Sequence, residues 1–530
     1  MIVPRGWILS VETEIKFLLS APVARALSRD LFPAAVARAD HLDTTYFDTP
    51  AGHLEAAKVA LRLRLSDNRI TQTIKTAPRA SGPFSRGEVE RVLSAPRLVL
   101  DDLKQVLSPR AYSHVTRTRV APTFRTVFDR RRRLFRHTAR SGAISTIELA
   151  LDQGEIDTSR ASHPICELEL ELKSGPPEGL LDLARDLQSR YGLRLSIDSK
   201  AARAARLHHG AAPDIWRAPP LNFTAETRIA EAYPAIVQAC LTQFIANHEN
   251  VLEVGAPEAI HQMRVSIRRL RSANGVFKPI IAAARVAPAL ALLKDIFEAL
   301  GRVRDIDVLI AETFDKLAGM GLDKTQMAQL TPHLAAWREA ELARVRALLE
   351  TGDQWRAVFD IALWIETGAW RNIEDPVGRL WHARRLAEFA GPALDRRYRN
   401  VVKRARRATR DPLEWHRVRL DVKKLRYNAE FFVNACAGKT ARVFARELRQ
   451  LQEQLGSLND LAVAADILAA APPAADPMVA NVIPRVRGFI EGAAAAALPG
   501  IVARLRKRWR TFAARPTFWT QSRTDAGRRP

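Results

Sequence analysis

Five stretches of the N-terminal third keep their charged residues at positions of one parity. Glu12, Glu14 and Lys16 share one parity in "VETEIKF" (11–17), and Arg62 and Arg64 do so in "LRLRL" (61–65). Lys75 follows in "RITQTIKT" (69–76), Glu148 and Asp152 in "ISTIELALD" (144–152), and Glu167, Glu169, Glu171 and Lys173 in "ICELELELK" (165–173). Side chains of a β-strand switch faces at every residue, so each run lines its charges along one face. A single run of this kind fits a solvated surface strand. Several together imply chemistry that needs both signs. Carboxylates hold a hard divalent ion such as Mg²⁺ or Mn²⁺ through oxygen ligands, while Lys and Arg clamp phosphoryl oxygens. A metal ion then joins the acids to a phosphate chain.

The elements that must position these faces are short strands. With "TFRTVFDRRRRLF" (123–135), the runs predict an antiparallel sheet or barrel over the first 206 residues, with one helical segment at 178–191. Closing the sheet would turn the polar faces inward. Unpaired like charges in a dry core would cost more than a fold can spare. The pattern therefore predicts a water-filled tunnel that holds a cation and a phosphate chain.

"ETEIK" resembles the ExExK signature of the CYTH superfamily, the triphosphate tunnel metalloenzymes. In the family's order there follow "YFDT" (46–49), "LRLR" (61–64), "TIK" (73–75), "ALDQGEI" (150–156), "CELELELK" (166–173) and "DSKAAR" (198–203). The resemblance covers about residues 10 to 206. It implies an eight-stranded antiparallel tunnel acting on triphosphates with a divalent metal. By the motif match, Glu12, Glu14, Asp152, Glu167 and Glu169 would be metal ligands. Lys16, Arg62, Arg64, Lys75, Arg119, Arg125 and Lys200 would contact phosphates, with Glu12, Glu14, Lys16, Arg62, Arg64 and Lys75 forming the catalytic set. Many arginines in "TRTRVAPTFRTVFDRRRR" compete for the places given to Arg119 and Arg125. The family also contains adenylate cyclases and thiamine triphosphatases. No nucleoside or thiamine pocket is legible, so hydrolysis of inorganic triphosphate is the smallest expectation.

The remainder is helical and repeats. "HQMRVSIRRLRSANGVF" begins at His261 and "HRVRLDVKKLRYNAEFF" at His416, an offset of 155; "LGRVRDID" at Leu300 and "LGSLNDLA" at Leu455 share that offset. Two copies of a four-helix unit are expected. At about 100° per residue, His416, Arg419, Lys423 and Arg426 fall on one helix face, as do His261, Arg264, Arg268 and Arg271. Neither stripe has metal-ligand company or aromatics interleaved for stacking on single-stranded nucleic acid. These stretches resemble the CHAD domain, the conserved histidine α-helical domain, over about residues 223 to 515. The resemblance implies two pseudo-symmetric four-helix bundles whose basic surface binds inorganic polyphosphate. Arg396, Arg397, Lys403 and Arg404 would widen that surface, and the matched Asp305 and Asp460 read as structural partners of arginine or as caps.

The expected organisation is a tunnel domain at 1–206, a linker at 207–222, two helical repeats at 223–515 and a flexible tail at 516–530. A net charge of +24 over 530 residues predicts a polyanionic partner, although an Arg- and Ala-rich composition alone would also raise it. Inorganic triphosphate and polyphosphate are the expected partners; nucleic acid is disfavoured, because no zinc-finger or homeodomain pattern occurs. Cys166, Cys240 and Cys436 are widely spaced and form no disulfide framework or metal motif, which fits a reducing cytoplasm, with polyphosphate granules as a further location. No run of about 20 apolar residues stands out, so no membrane span is expected. The rival readings are a non-catalytic polyphosphate-binding protein and a cyclase.

Overall fold

The computed structural model describes residues 8–66, 69–76, 82–158, 160–408, 414–436 and 438–520. Its strands are β1 (Ile8–Leu18), β2 (Arg38–Asp48), β3 (Val59–Ser66), β4 (Arg69–Thr76), β5 (Ser85–Leu93), β6 (Ala121–Thr138), β7 (Ile144–Thr158), β8 (Ser162–Ser174) and β9 (Arg194–Ser196). They form one antiparallel sheet in the order β5-β4-β3-β2-β6-β7-β8-β1-β9. The sheet closes because β1 is shared: Ile8–Thr13 pair with β5, and Glu14–Leu18 pair with β8. The result is the expected closed eight-stranded barrel, with β9 added beside β1.

The alternation decides which side is dry. Outward Leu61, Ile74 and Val89 of β3, β4 and β5 pack under Leu103, Leu107 and Val115 from the 3₁₀ turn Leu100–Gln105, the following loop and the helix Pro109–Arg117. The inward side is polar along most of its length. At one end it becomes apolar, where Ala204 and Leu207 of the helix Lys200–His209 pack on Leu42, Phe128, Ile156 and Ile165. Gly154 makes this wall possible: a Cβ there would lie 2.2 Å from the Val127 carbonyl oxygen and 2.4 Å from Phe128 Cα. Any side chain would force β6 and β7 apart.

Two compact units emerge. The first contains the chain up to Arg217 together with Leu241–Ala259 and Thr351–Thr367; the second contains the rest. Within the first unit, Phe359 of the helix Asp353–Glu366 stands 6.1 Å from Phe17 of β1, ring centre to ring centre. The stretch after the barrel is tied down: Asn247 bonds Trp216 at both its N–H and its carbonyl, and Asn250 bonds the Pro213 carbonyl.

The second unit is helical. The helices Pro257–Phe277, Ala283–Val308 and Lys324–Glu350 reappear as Glu414–Glu430, Lys439–Ala470 and Pro477–Ala513, as the repeat predicts. Residues of both copies join in one core, with Leu330 and Leu334 among Leu461, Leu468, Val486 and Ile490. Residues 516–520 depart from the flexible tail expected of them. Phe518 and Trp519 are buried, and the Trp519 indole N–H donates to Asp395 at 2.7 Å. The rest of that tail, 521–530, lies outside the described residues. Two helical stretches, Ile229–Glu253 and Pro477–Thr520, are long and apolar enough to cross a membrane by length and composition, contrary to the sequence reading. The apolar window of the first is 61% buried within the fold, as in a core helix, and that of the second 22%.

Candidate active site

Inward-facing residues of the barrel surround a cavity of about 370 Å³. Glu12, Glu14, Lys16, Arg62, Arg64, Lys75, Glu148, Glu169, Glu171, Lys173 and Lys200 all line it. The register explains the grouping. Glu14 lies opposite Glu171, Glu171 opposite Glu148, and Asp152 opposite Glu167 on neighbouring strands. Like charges facing one another across strands are destabilising on their own, so cations must enter between them.

They do so at two centres. At the first, Lys75 Nζ is 2.6 Å from Glu12, 3.5 Å from Glu88 and 3.8 Å from Glu14, and Arg86 is 3.2 Å from Glu14. Burial pushes the Glu12 carboxyl up to about 7, against the pull of Lys75. Burial would raise Glu14 as well, but Lys75 and Arg86 outweigh it and hold that carboxyl below its usual range. At the second centre, Lys200 Nζ is 2.7 Å from Asp152 and 2.9 Å from Glu169, and it also bonds Glu167. Arg130 grips Asp152 through two bonds of 2.7 Å and reaches Glu169; Arg203 reaches Glu167. Burial would raise Glu169, yet Lys200 and Arg130 hold it far below the usual carboxylate range.

The cations expected to meet phosphate are themselves perturbed. Burial lowers the Lys16 ammonium to about 8, with Glu167 opposing and Arg86 adding to the fall. Burial, then Arg62 and Arg130, lower Arg64 to about 9. Lys16 donates to the Asp198 carbonyl and Arg86 to the Ile197 carbonyl, which ties β1 and β5 to the segment leading into the helix Lys200–His209.

The residues available to a metal are all oxygen donors. One carboxylate oxygen from each of Asp152, Glu167 and Glu169 lies within 4.8 Å of the others, a set suited to Mg²⁺ or Mn²⁺. Asp152 and Glu167 are fully buried behind Lys200 and do not line the cavity, whereas Glu12, Glu14 and Glu169 do.

Two expected phosphate contacts fall elsewhere. Arg119 is exposed between a helix and β6. Arg125 has the outward parity of β6 and pairs with Asp43 on the barrel exterior. The β6 arginines that line the cavity are Arg130 and Arg132, and Arg86, Glu88 and Glu90 of β5 line it too. The β5 group was legible as "SRGEVERV", a period-two run like the others.

The helical unit holds the second cation group. Lys423 is lowered to about 8 by burial, then by Arg268, Arg419, Arg264 and Arg426, so both basic stripes converge. Arg268 and Arg426 lie over the Tyr427 ring, 4.8 and 4.3 Å from its centre, and Arg264 lies 4.6 Å from that of Phe297. The aromatics absent from the stripes thus arrive partly from a neighbouring helix. Gly301 leaves room for Arg264, since a Cβ there would sit 2.2 Å from its guanidinium. Arg426 is neutralised by Glu430. Arg271 and His416 are exposed, and His261 is half-buried. Asp305 faces Arg264, and its repeat mate Asp460 faces Arg419. Lys403 is exposed and Arg404 pairs with Asp421.

Residues 10–205 match the CYTH domain model and residues 235–469 the CHAD domain model. The chain is a CYTH domain followed by a CHAD domain. An inorganic triphosphatase of Haemophilus influenzae is 31% identical over 199 residues, which are 37% of this chain and 54% of that protein. The chain thus spans about half the length of this curated relative. Among solved structures, the CHAD domain from the plant Ricinus communis matches at 28% identity and a TM-score of 0.47, over 55% of this chain and 96% of that one. A Hippeastrum protein described as a putative adenylyl cyclase with a dominant triphosphatase activity matches at 21% identity and a TM-score of 0.26, over 38% of this chain and 96% of that one.

Proposed function

We propose that the CYTH domain hydrolyses inorganic triphosphate to diphosphate and phosphate with Mg²⁺ or Mn²⁺, and that the CHAD domain binds inorganic polyphosphate. The observation that carries the first part is the cavity wall, which brings carboxylates and cations from every strand of the barrel into one cavity. Leu42, Tyr46, Ala60, Ala150 and Ala201 are its apolar and aromatic lining, a small platform for a nucleobase, so a bare phosphate chain is the substrate that matches it.

Lys16, Arg62, Arg64 and Lys75, joined by Arg130 and Arg132, hold the phosphoryl oxygens and orient the chain. Glu12, Glu14 and Glu169 would hold the metal, with Asp152 and Glu167 available behind Lys200. When bound, the metal neutralises charge on the phosphate oxygens as the terminal phosphoryl group transfers. A carboxylate orients the attacking water. The water oxygen bonds to the terminal phosphorus and gives a proton to the carboxylate that orients it, the bridging P–O bond breaks, and diphosphate leaves with that bond's electron pair. The polyphosphate assignment is supported by Arg264, Arg268, Arg419 and Lys423, which converge without an ion pair among the described residues. His261, Arg271, His416 and Arg426 extend that surface.

Phosphate release from triphosphate, ATP and long-chain polyphosphate, with Mg²⁺ or Mn²⁺ and then with EDTA, tests the assignment. A second reading, in which the tunnel only grips an anion, is favoured by the bonds of Lys200, Arg130 and Arg203, which already satisfy the acid cluster. It predicts polyphosphate binding with no turnover.

A further inference from the structure

The second unit contains another cavity, of about 550 Å³, that neither the tunnel nor the basic stripes use. Its floor is apolar: Ile280 and Phe389 are buried, and the Trp381 ring leans on Phe389 at 5.2 Å. Arg396, Arg397 and Asn400, from one helix, form its polar side. Arg397 donates to the Gly275 carbonyl at 3.2 Å, and neither guanidinium forms an ion pair among the described residues. The lining acid, Asp375, is spent on capping the helix Pro376–Leu380, accepting from the N–H groups of Val377 and Gly378. Burial and Arg396 both depress the Arg397 guanidinium, and Asp421 offsets them only in part.

Such a site asks for an anion with an apolar, flat body. Inorganic phosphate alone would leave the aromatic floor bare. A purely apolar ligand would leave the half-buried Arg397 without an anionic partner. The fork of Arg suits phosphate, aromatic rings suit a nucleobase, and an Asn amide can read a ribose hydroxyl or a base edge. We propose that this cavity binds a nucleoside di- or triphosphate, with its base against Trp381 and Phe389 and its phosphates on Arg396 and Arg397. The site is separate from the tunnel and does not depend on the reaction proposed there.

Photolabelling of the full chain with 8-azido-ATP, followed by peptide mapping, tests this. EDTA is present to silence metal-dependent turnover, and excess inorganic triphosphate to occupy the tunnel and the basic stripes. The expected label falls within residues 376–400 and is displaced by ATP and ADP but not by more triphosphate. Ala393→Trp, which fills the cavity without changing charge, should cut labelling by roughly tenfold, the scale of losing one well-made contact. Should that variant fail to fold, Arg396→Ser with Arg397→Ser, both at the cavity mouth, decides in its place with a similar expected loss. Label confined to the barrel strands, displacement by inorganic triphosphate alone, or labelling unchanged in the folded variant would each overturn the proposal.

Discussion

The tunnel and the basic face of the helical unit both gather lysines and arginines, but they treat them differently. In the tunnel most cations have an acid: Lys75 has Glu12, Arg86 has Glu14, and Lys200 and Arg130 share Asp152 and Glu169, while Lys16 and Arg64 bond only a backbone carbonyl and a threonine hydroxyl. On the helical face Arg264, Arg268, Arg419 and Lys423 crowd one another, and their charge is opposed mainly at a distance by Asp305 and Asp460. The first arrangement can hold a metal ion and a phosphate chain together, which hydrolysis needs. The second can only attract an anion, and its strength must fall with salt. Pairing, more than the number of cations, separates a site for chemistry from a site for binding.

The largest expected effect tests the tunnel side. Glu14→Ala or Lys16→Ala should lower triphosphate turnover by about 10²- to 10³-fold, the range for removing one preorganised electrostatic group. Polyphosphate affinity should stay unchanged in both. Full activity in both variants would break the comparison. The converse set, Arg264→Glu, Arg268→Glu, Arg419→Glu and Lys423→Glu, should weaken polyphosphate binding by roughly 10²-fold, as expected when several phosphate contacts are lost. Turnover in the tunnel should survive. Unchanged affinity would show that the patch is misplaced.

Strand parity makes a sharper pair. Arg130→Ala should reduce turnover severely, because it takes a cation from buried Asp152 and from Glu169 on the cavity wall. Arg125→Ala should leave turnover intact and cost at most about 1 kcal/mol of stability, the range for an exposed ion pair. Equal losses in the two variants would contradict the assigned faces of β6.

The smallest effect is a pH dependence. Lys423, lowered to about 8, is charged below that pH and neutral above it. Polyphosphate affinity measured by titration should therefore fall as pH rises through 8, by roughly threefold, the share of one phosphate contact. A bound polyanion favours the protonated lysine, so binding should take up protons there. Lys423→Arg should remove the step; a step that persists in that variant would assign it to another group.

Much of this was legible before any coordinates. Period-two alternation in "VETEIKF", "LRLRL" and "ICELELELK" marked the inward faces, and the 155-residue offset marked the helical repeat. The failures have physical causes. In "RRRR" (130–133) both parities are arginine, so only the pairing of Arg130 with Asp152 across β6 and β7 selects the inward face. Arg125 stands between Phe124 and Thr126, and the motif match took it from among the many arginines of 117–133 without the register of β6 to choose between them. The β5 run "SRGEVERV" has the same alternation and was passed over, because Gly87 breaks its pattern. That Asp152 and Glu167 sit behind Lys200 is a matter of packing depth, on which alternation is silent. The aromatic partners of the basic stripes were partly invisible because Phe297 belongs to another helix.

The most direct test of the central claim is phosphate release from inorganic triphosphate, with Mg²⁺ or Mn²⁺ and then with EDTA. Turnover that is strongest on triphosphate, compared with ATP and long-chain polyphosphate, and that EDTA abolishes is the predicted result. Tight polyphosphate binding with no phosphate release in either metal would contradict it and leave the tunnel a grip for anions.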